Sequence, residues 1–144
     1  MNMKKRFPKF PDMIPFKKFI PGIAWFFLSL ILICTPSSDL PKPDTWMNAI
    51  FFDKWIHLGL FAVLAFLFML PVIKSQLDKK NKFRLLIRIA ICVSLWGLVT
   101  EQIQESLIRG RGFEWGDWAA DSIGSLGAFL VSRSKYLQAR LSKA

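Results

Sequence analysis

The chain has few of the side chains that usually carry out catalysis or bind metals. Its 144 residues include one histidine, His57, and two cysteines, Cys34 and Cys92. A lone histidine with no His-x-x-x-His pair argues against a zinc centre, so the sequence predicts no metal and no cofactor. Both cysteines lie in apolar runs far apart along their helices, so we expect two buried thiols and no disulfide. Neither a serine nor a cysteine stands in a recognisable nucleophile motif.

The chain also lacks any Gly- or Ser-rich linker and any internal repeat, so we expect at most one domain. It has instead three runs of 16 to 18 residues that are nearly free of charge, at 20–35, 56–73 and 85–100. A helix that crosses a bilayer needs roughly 17 to 25 residues, so each run is just long enough. A soluble protein of this size would not carry three such runs. The sequence therefore predicts an integral membrane protein, whose first span is retained because it has no Ala-x-Ala-like cleavage site.

Acidic residues are half as numerous as basic ones, 10 against 20, which gives a net charge of +10. A net charge this positive can indicate a nucleic-acid partner, but the positions of the Lys and Arg residues along the chain favour a membrane topology. With four spans and a cytoplasmic N-terminus, sixteen of the twenty Lys and Arg residues fall on the cytoplasmic side, as the positive-inside rule requires. Eight of the ten acids fall on the outer side. We therefore expect no nucleic-acid partner, and contacts between the basic segments and anionic lipid headgroups.

These patterns predict an all-α fold, an integral membrane bundle of four transmembrane helices with both termini in the cytoplasm. The predicted spans cover about 19–35, 54–73, 85–104 and 117–132. They form one membrane domain, 19–132, between two basic cytoplasmic tails, 1–18 and 133–144. The fourth span is the shortest, but small residues recur in it every four positions, which lets two helices approach closely. This predicted packing stripe consists of Gly116, Ala120, Gly124 and Ala128.

Polar and charged side chains gather at one side of the predicted membrane. Span 2 starts on the outer side, span 3 ends there and span 4 starts there, so their polar residues fall within about two helical turns of the outer surface. Burying a charged group in hydrocarbon costs free energy, so such groups rarely occur there without a function or an interaction partner. Two of them, Asp53 and Asp117, could alternatively act only as helix N-caps. The predicted ligand-binding residues are Asp53, His57, Glu101, Gln104, Arg111, Asp117 and Asp121.

Four short motifs occur in order in this region. They are D-K-x-x-H at Asp53, Lys54 and His57, E-x-x-Q at Glu101 and Gln104, an arginine at Arg111, and D-x-x-x-[N]-x-x-G at Asp117, Asp121 and Gly124. With these motifs the chain resembles the VanZ-like family of membrane proteins over about residues 20–132, and it departs from the usual family pattern at Asp121, where the family usually has Asn. The resemblance implies a small multi-pass protein of the bacterial inner (cytoplasmic) membrane, in a family named for a member associated with low-level resistance to the glycopeptide teicoplanin.

The leading functional hypothesis is recognition of a lipid-linked or amphiphilic molecule of the cell envelope. Arg111 can make a bidentate contact with a phosphate or carboxylate group. His57 can hold or donate a proton near neutral pH, and Gln104 adds neutral hydrogen bonds. These side chains together would form an outward-facing polar site.

Two other functions stay open at this point. A membrane-embedded enzyme acting on a lipid headgroup could use His57, Glu101 and Asp121 as catalytic groups, with Arg111 stabilising an oxyanion or a phosphoryl group. Alternatively, the charged residues could pair with one another and lock the helices together. The protein would then be a structural or scaffold subunit of a larger membrane complex, or a homo-oligomer, with membrane lipids around it.

Overall fold

The computed structural model describes residues 14–35, 46–108 and 111–141, with the backbone alone at 46–51 and 136–141. These residues form four α-helices and contain no β-strand, which confirms the all-α prediction. A short 3₁₀ turn, Phe16–Phe19, leads into the first helix. Most of the predicted tail 1–18 and the end of the tail 133–144 lie outside the described residues. The helices are α1 (Ile20–Ile33), α2 (Trp46–Ile73), α3 (Lys79–Leu107) and α4 (Trp115–Leu141).

Three of the four helices extend well beyond the apolar runs that predicted them. α2 begins at Trp46 rather than near residue 54. α3 begins at Lys79 rather than near residue 85, because the side chain of Asp78 accepts a hydrogen bond from the Asn81 backbone N–H at 3.2 Å and caps the helix. α4 continues to Leu141 and so includes most of the segment predicted as a C-terminal tail.

Neither Asp53 nor Asp117 caps a helix, so that alternative is wrong. α2 begins seven residues before Asp53, because the intervening residues contain neither proline nor glycine to interrupt it. Asp117 is the third residue of α4. Both carboxylates therefore project from within a helix and can contact neighbouring helices.

Three helical segments are long and apolar enough to cross a membrane, namely Phe16–Ile33, Phe52–Ile73 and Lys79–Leu107. α4 has 27 residues but does not belong to this group, because its two aspartates and its basic C-terminal residues lower its hydropathy. The bundle also has an inverted polarity: acids and serines are buried while many large apolar side chains are exposed. These features indicate a membrane protein. The exposed apolar residues include Phe27, Ile31, Leu95, Val99, Ile123 and Leu130.

α4 packs more extensively against α2 than against any other helix, and the small-residue stripe lies at this interface. A Cβ atom added to Gly124 would collide with the carbonyl oxygen of Leu58 and would lie 3.0 Å from the backbone nitrogen of Ala62. Only a residue without a side chain lets the two backbones come this close. Two further members of the stripe are buried as well: Ala120 and Ala128.

Side-chain hydrogen bonds join the helices within the apolar part of the bundle. The Trp25 indole Nε1 donates to the carbonyl oxygen of Leu60 at 3.0 Å and connects α1 to α2. The Ser125 hydroxyl donates to the carbonyl oxygen of Ala90 at 2.9 Å and connects α4 to α3. Such bonds help hold helices together in lipid, where apolar surface gains little by leaving the surrounding hydrocarbon.

The two cysteines are free thiols with different environments. Cys34 is half-buried at the end of α1, whereas Cys92 is exposed on α3. The prediction of a buried thiol is therefore wrong for Cys92. An apolar run does not distinguish a helix face that packs in the bundle from one that is exposed, and Cys92 lies on an exposed face.

Candidate functional site

The predicted polar residues come together at one end of the bundle, which we call the polar end. Here α3 ends and α4 begins. Glu101 and Asp121 each lie six residues from the terminus of their helix, about 9 Å along the axis. The sequence predicted all of the members except Lys54 and Glu114. The polar end consists of Asp53, Lys54, His57, Glu101, Gln104, Arg111, Glu114, Asp117 and Asp121.

Two ion-paired groups form the outer layer of the polar end. Arg111 Nη2 donates to Asp53 Oδ2 at 2.6 Å, and these side chains are 15% and 26% exposed. Lys54 Nζ donates to Asp117 Oδ1 at 2.8 Å and to Glu114 Oε2 at 3.0 Å. Asp117 is buried, whereas Glu114 is exposed. The outer layer thus joins α2 to α4 and to the segment that precedes it.

The inner layer of the polar end consists of His57, Glu101 and Asp121, all of them buried. His57 Nδ1 lies 3.1 Å from Asp121 Oδ1, within hydrogen-bond distance, and 3.9 Å from Glu101 Oε1. The other oxygen of Glu101, Oε2, accepts a hydrogen bond from the Glu114 backbone N–H at 3.1 Å. One residue from each of α2, α3 and α4 therefore meets at the same point.

Two carboxylate oxygens of the inner layer are buried without a hydrogen-bond partner, Glu101 Oε1 and Asp121 Oδ2. Within the described part of the chain, the Ser132 hydroxyl is the only other buried side-chain atom of this kind. The Asp121 oxygen lies beside Gly97, where an added Cβ atom would be 2.7 Å from it. A buried acceptor without a partner costs on the order of 1 to 3 kcal/mol. The inner layer therefore has unused capacity to bind a proton or a cation.

Gln104 and Arg111 hold the end of α1. Gln104 Nε2 donates to the carbonyl oxygen of Ile33 at 3.0 Å, and Arg111 Nη1 lies 3.4 Å from the same oxygen. Ile33 is the last residue of α1, where carbonyl oxygens lack partners within the helix. Two side chains that the sequence predicted as ligand-binding thus make contacts between helices, and both terminal nitrogens of Arg111 have partners.

The polar end carries more acid than base. Five carboxylates face the two permanent cations of Lys54 and Arg111, so three formal negative charges remain when His57 is neutral. Such a site can hold a cation or an ammonium group, and its carboxylates can also orient the imidazole for proton transfer. Two sets of three side chains bring potential metal-ligand atoms within 4.8 Å of one another: Asp53, His57 and Asp117, and His57, Glu101 and Asp121.

Sequence reasoning missed three residues that shape this site. Gly97 leaves room for Asp121, and a glycine within a span is itself a signal of close helix packing. Lys54 and Glu114 pair across 60 residues of sequence, and no periodicity along the chain reveals such a pair.

No protein-family model, curated protein or solved structure matches this chain.

Proposed function

We propose that this chain is a four-span protein of the bacterial cytoplasmic membrane whose polar end lies on the outer side and recognises the head of an amphiphilic envelope molecule. The observation that carries the proposal is the polar end itself. Three helices bring charged side chains to one level, with the inner layer buried and part of the outer layer exposed. Ionisable side chains within membrane segments are costly and usually mark functional sites. The resemblance to VanZ-like proteins agrees with a role in the envelope.

The outward face of α4 supports a fourth span. Ile123, Leu126 and Leu130 are exposed on this helix and would face lipid. Its 27 residues extend about 40 Å, enough to cross the hydrocarbon layer. At the end away from the polar end, the Arg133 guanidinium lies 5.9 Å from the centre of the Phe83 ring, near the start of α3. The basic C-terminal part of α4 thus lies at the same end as the basic start of α3, and the positive-inside rule places that end in the cytoplasm.

Reporter fusions test this topology. A reporter that is active only in the cytoplasm is fused to either terminus of the full chain. Four spans require both fusions to be active. An inactive C-terminal fusion beside an active N-terminal one, at equal amounts of protein, would contradict the fourth span.

An apolar groove that runs from the level of Trp96 towards the start of α3 fits the tail of an amphiphile. The groove has a volume of about 300 Å³ and is lined by α1, α2 and α3. Trp96, one of its lining residues, precedes Glu101 by five residues, about 8 Å along α3. A molecule with its head at the polar end could therefore place its tail in the groove. The lining side chains include Phe26, Leu64, Phe68, Ile89, Val93 and Trp96.

The charges of the polar end favour a head that carries an ammonium group. Both terminal nitrogens of Arg111 already have partners, so a phosphate would have to displace Asp53. The outer layer has three carboxylates against two cationic side chains, and this excess of negative charge attracts positive charge instead. Glu114 is the exposed acid of the polar end, and an arriving ammonium group would meet it first. Phosphatidylethanolamine presents an ammonium group beside its phosphate, whereas phosphatidylglycerol does not.

Native mass spectrometry of the protein in nanodiscs with equal amounts of these two lipids tests the proposal. We expect the wild type to retain phosphatidylethanolamine selectively. Glu114→Gln should reduce this selectivity, because it removes the exposed carboxylate but keeps the backbone N–H that binds Glu101. Glu105→Gln is the matched control, since Glu105 is an exposed acid on α3 that bonds to Gln102 and lies outside the polar end. Equal retention of both lipids by the wild type, or equal effects of the two substitutions, would contradict the proposal.

The ion pairs favour a second function, that of a structural subunit in a larger membrane complex. Arg111 with Asp53, and Gln104 with Ile33, join helices to one another without any ligand. On this view, substitutions at the polar end lower thermal stability and no lipid is retained selectively. Copurification of a partner protein with a wild type that shows no lipid selectivity would favour this function.

A further inference from the structure

We infer that the inner layer of the polar end, His57, Glu101 and Asp121, binds one divalent transition-metal cation. The single histidine of the sequence argues against a metal site, but the structure places two carboxylates beside that histidine. The inference does not rest on the proposed recognition of an amphiphile, because it concerns the buried layer and that proposal concerns the exposed one.

The ligand atoms have the spacing of a coordination site. All three lie within 4.8 Å of one another. His57 Nδ1 is 3.1 Å from Asp121 Oδ1 and 3.9 Å from Glu101 Oε1. With metal–ligand distances of about 2.1 Å, neighbouring ligand atoms are about 3.0 Å apart in an octahedral site and about 3.4 Å apart in a tetrahedral one. The separation from His57 to Asp121 already lies in this range, and that from His57 to Glu101 exceeds it by less than one ångström, so a small inward movement of the carboxylates would let the three atoms share one ion.

The unpartnered oxygens point to the same ligand independently. Glu101 Oε1, the oxygen nearest His57 Nδ1, accepts no hydrogen bond, and neither does Asp121 Oδ2. Both side chains are 0% exposed, so bulk water does not reach them. Buried carboxylate oxygens almost always have a partner. A cation between the two carboxylates would give Glu101 Oε1 that partner.

Charge balance favours a divalent ion. The buried acid of the outer layer, Asp117, is paired with a lysine. When both are ionised, Glu101 and Asp121 have only His57 beside them as a cationic partner, so even a charged imidazole leaves one negative charge unbalanced. A divalent cation with a neutral imidazole as its third ligand balances both carboxylates.

The composition of the inner layer indicates which ions it would take. One imidazole nitrogen with two carboxylate oxygens suits Mn²⁺, Fe²⁺ or Zn²⁺, because carboxylates favour the harder ions and imidazole the transition metals. The alternative set of Asp53, His57 and Asp117 is the weaker candidate, since each of its carboxylates already binds a cationic side chain. A site at the inner layer is therefore expected to bind Mn²⁺, and Zn²⁺ should displace it because zinc complexes are more stable.

Titration with Mn²⁺ followed by pulsed electron paramagnetic resonance tests the inference. The full chain is purified in mild detergent without a polyhistidine tag. Because the chain has one histidine, any coupling of the ion to an imidazole nitrogen identifies His57 as a ligand. We expect saturation at one Mn²⁺ per chain, one nitrogen coupling, and loss of the signal when Zn²⁺ is added. Folded wild type that binds no Mn²⁺, or binds it without nitrogen coupling, would overturn the inference.

Near-isosteric variants provide the second measurement. Glu101→Gln and Asp121→Asn should each weaken Mn²⁺ binding at least about tenfold, while Glu105→Gln, an exposed acid four residues from Glu101 on the same helix, should leave it unchanged. Unchanged binding in the two inner-layer variants would overturn the inference. If either variant fails to fold, the nitrogen coupling of the wild type decides the question alone.

Discussion

Replacing Gly124 by alanine should force α2 and α4 apart, because the atoms in the way belong to the backbone. An alanine Cβ would collide with the carbonyl oxygen of Leu58 and lie 3.2 Å from its carbonyl carbon and 3.0 Å from the Ala62 nitrogen. No side-chain rotation relieves these contacts. The two helices must therefore separate, or α4 must turn about its axis.

Two opposing contributions determine how Gly124→Ala changes the free energy of unfolding. Alanine is favoured over glycine in a helix by up to about 1 kcal/mol. Overpacking that shifts a backbone costs about 1 to 3 kcal/mol. Gly127→Ala isolates the first contribution, since nothing lies within 4 Å of a Cβ atom at that position. We therefore expect Gly124→Ala to be about 1 to 3 kcal/mol less stable than Gly127→Ala.

Reversible unfolding of the two variants in detergent micelles, followed by tryptophan fluorescence, measures this difference. The comparison is matched, because both positions lie in α4 and both substitutions add one methyl group. Equal stability of the two variants would refute the close approach of α2 and α4. It would also refute the position of Asp121 beside His57, which depends on that approach.

Two further predictions concern the polar end. Arg111→Ala should lower the free energy of unfolding by about 1 to 3 kcal/mol, because Asp53 loses its partner. A double-mutant cycle with Asp53→Asn should give a coupling of at least about 0.5 kcal/mol, and a coupling near zero would contradict a contribution of this pair to stability. Gly97→Ala should displace the Asp121 carboxylate and weaken Mn²⁺ binding at least about tenfold. Gly59→Ala is its control, since a Cβ atom there has nothing within 4 Å, and equal Mn²⁺ affinities of the two variants would contradict the prediction.

The parts of the helices that cross the bilayer could be predicted from the sequence, because they must be apolar. The parts that extend beyond the apolar runs could not. A span needs about 20 apolar residues, and a run such as 56–73 is therefore conspicuous. The first turns of α3 and the last turns of α4 are rich in Lys and Arg, which favour helix but give no apolar signal. Asp78, three residues before Asn81, was the local sign of the true start of α3.

The grouping of the polar residues could be predicted from topology, but their pairing could not. Antiparallel spans bring the end of α3 and the start of α4 to the same level, so Glu101 and Asp121 had to be near each other in depth. Which side chains make contact depends on how far each helix is rotated and how closely it packs. Arg111 lies between helices, and its partner Asp53 is 58 residues away, so no spacing along the chain predicts the pair.

Locking the helices together accounts for the outer layer of the polar end but for only part of the inner layer. Arg111 with Asp53, and Lys54 with its acids, form ion pairs that join separate segments. An apolar core of the same volume would often join helices as well as buried charges do. The stability of the bundle alone therefore does not explain why carboxylates are buried here. Two oxygens of the inner layer, one from Glu101 and one from Asp121, bind nothing in the protein and so contribute no link between helices. A bound cation would explain their burial next to the only histidine of the chain, and the Mn²⁺ titration tests for that cation directly.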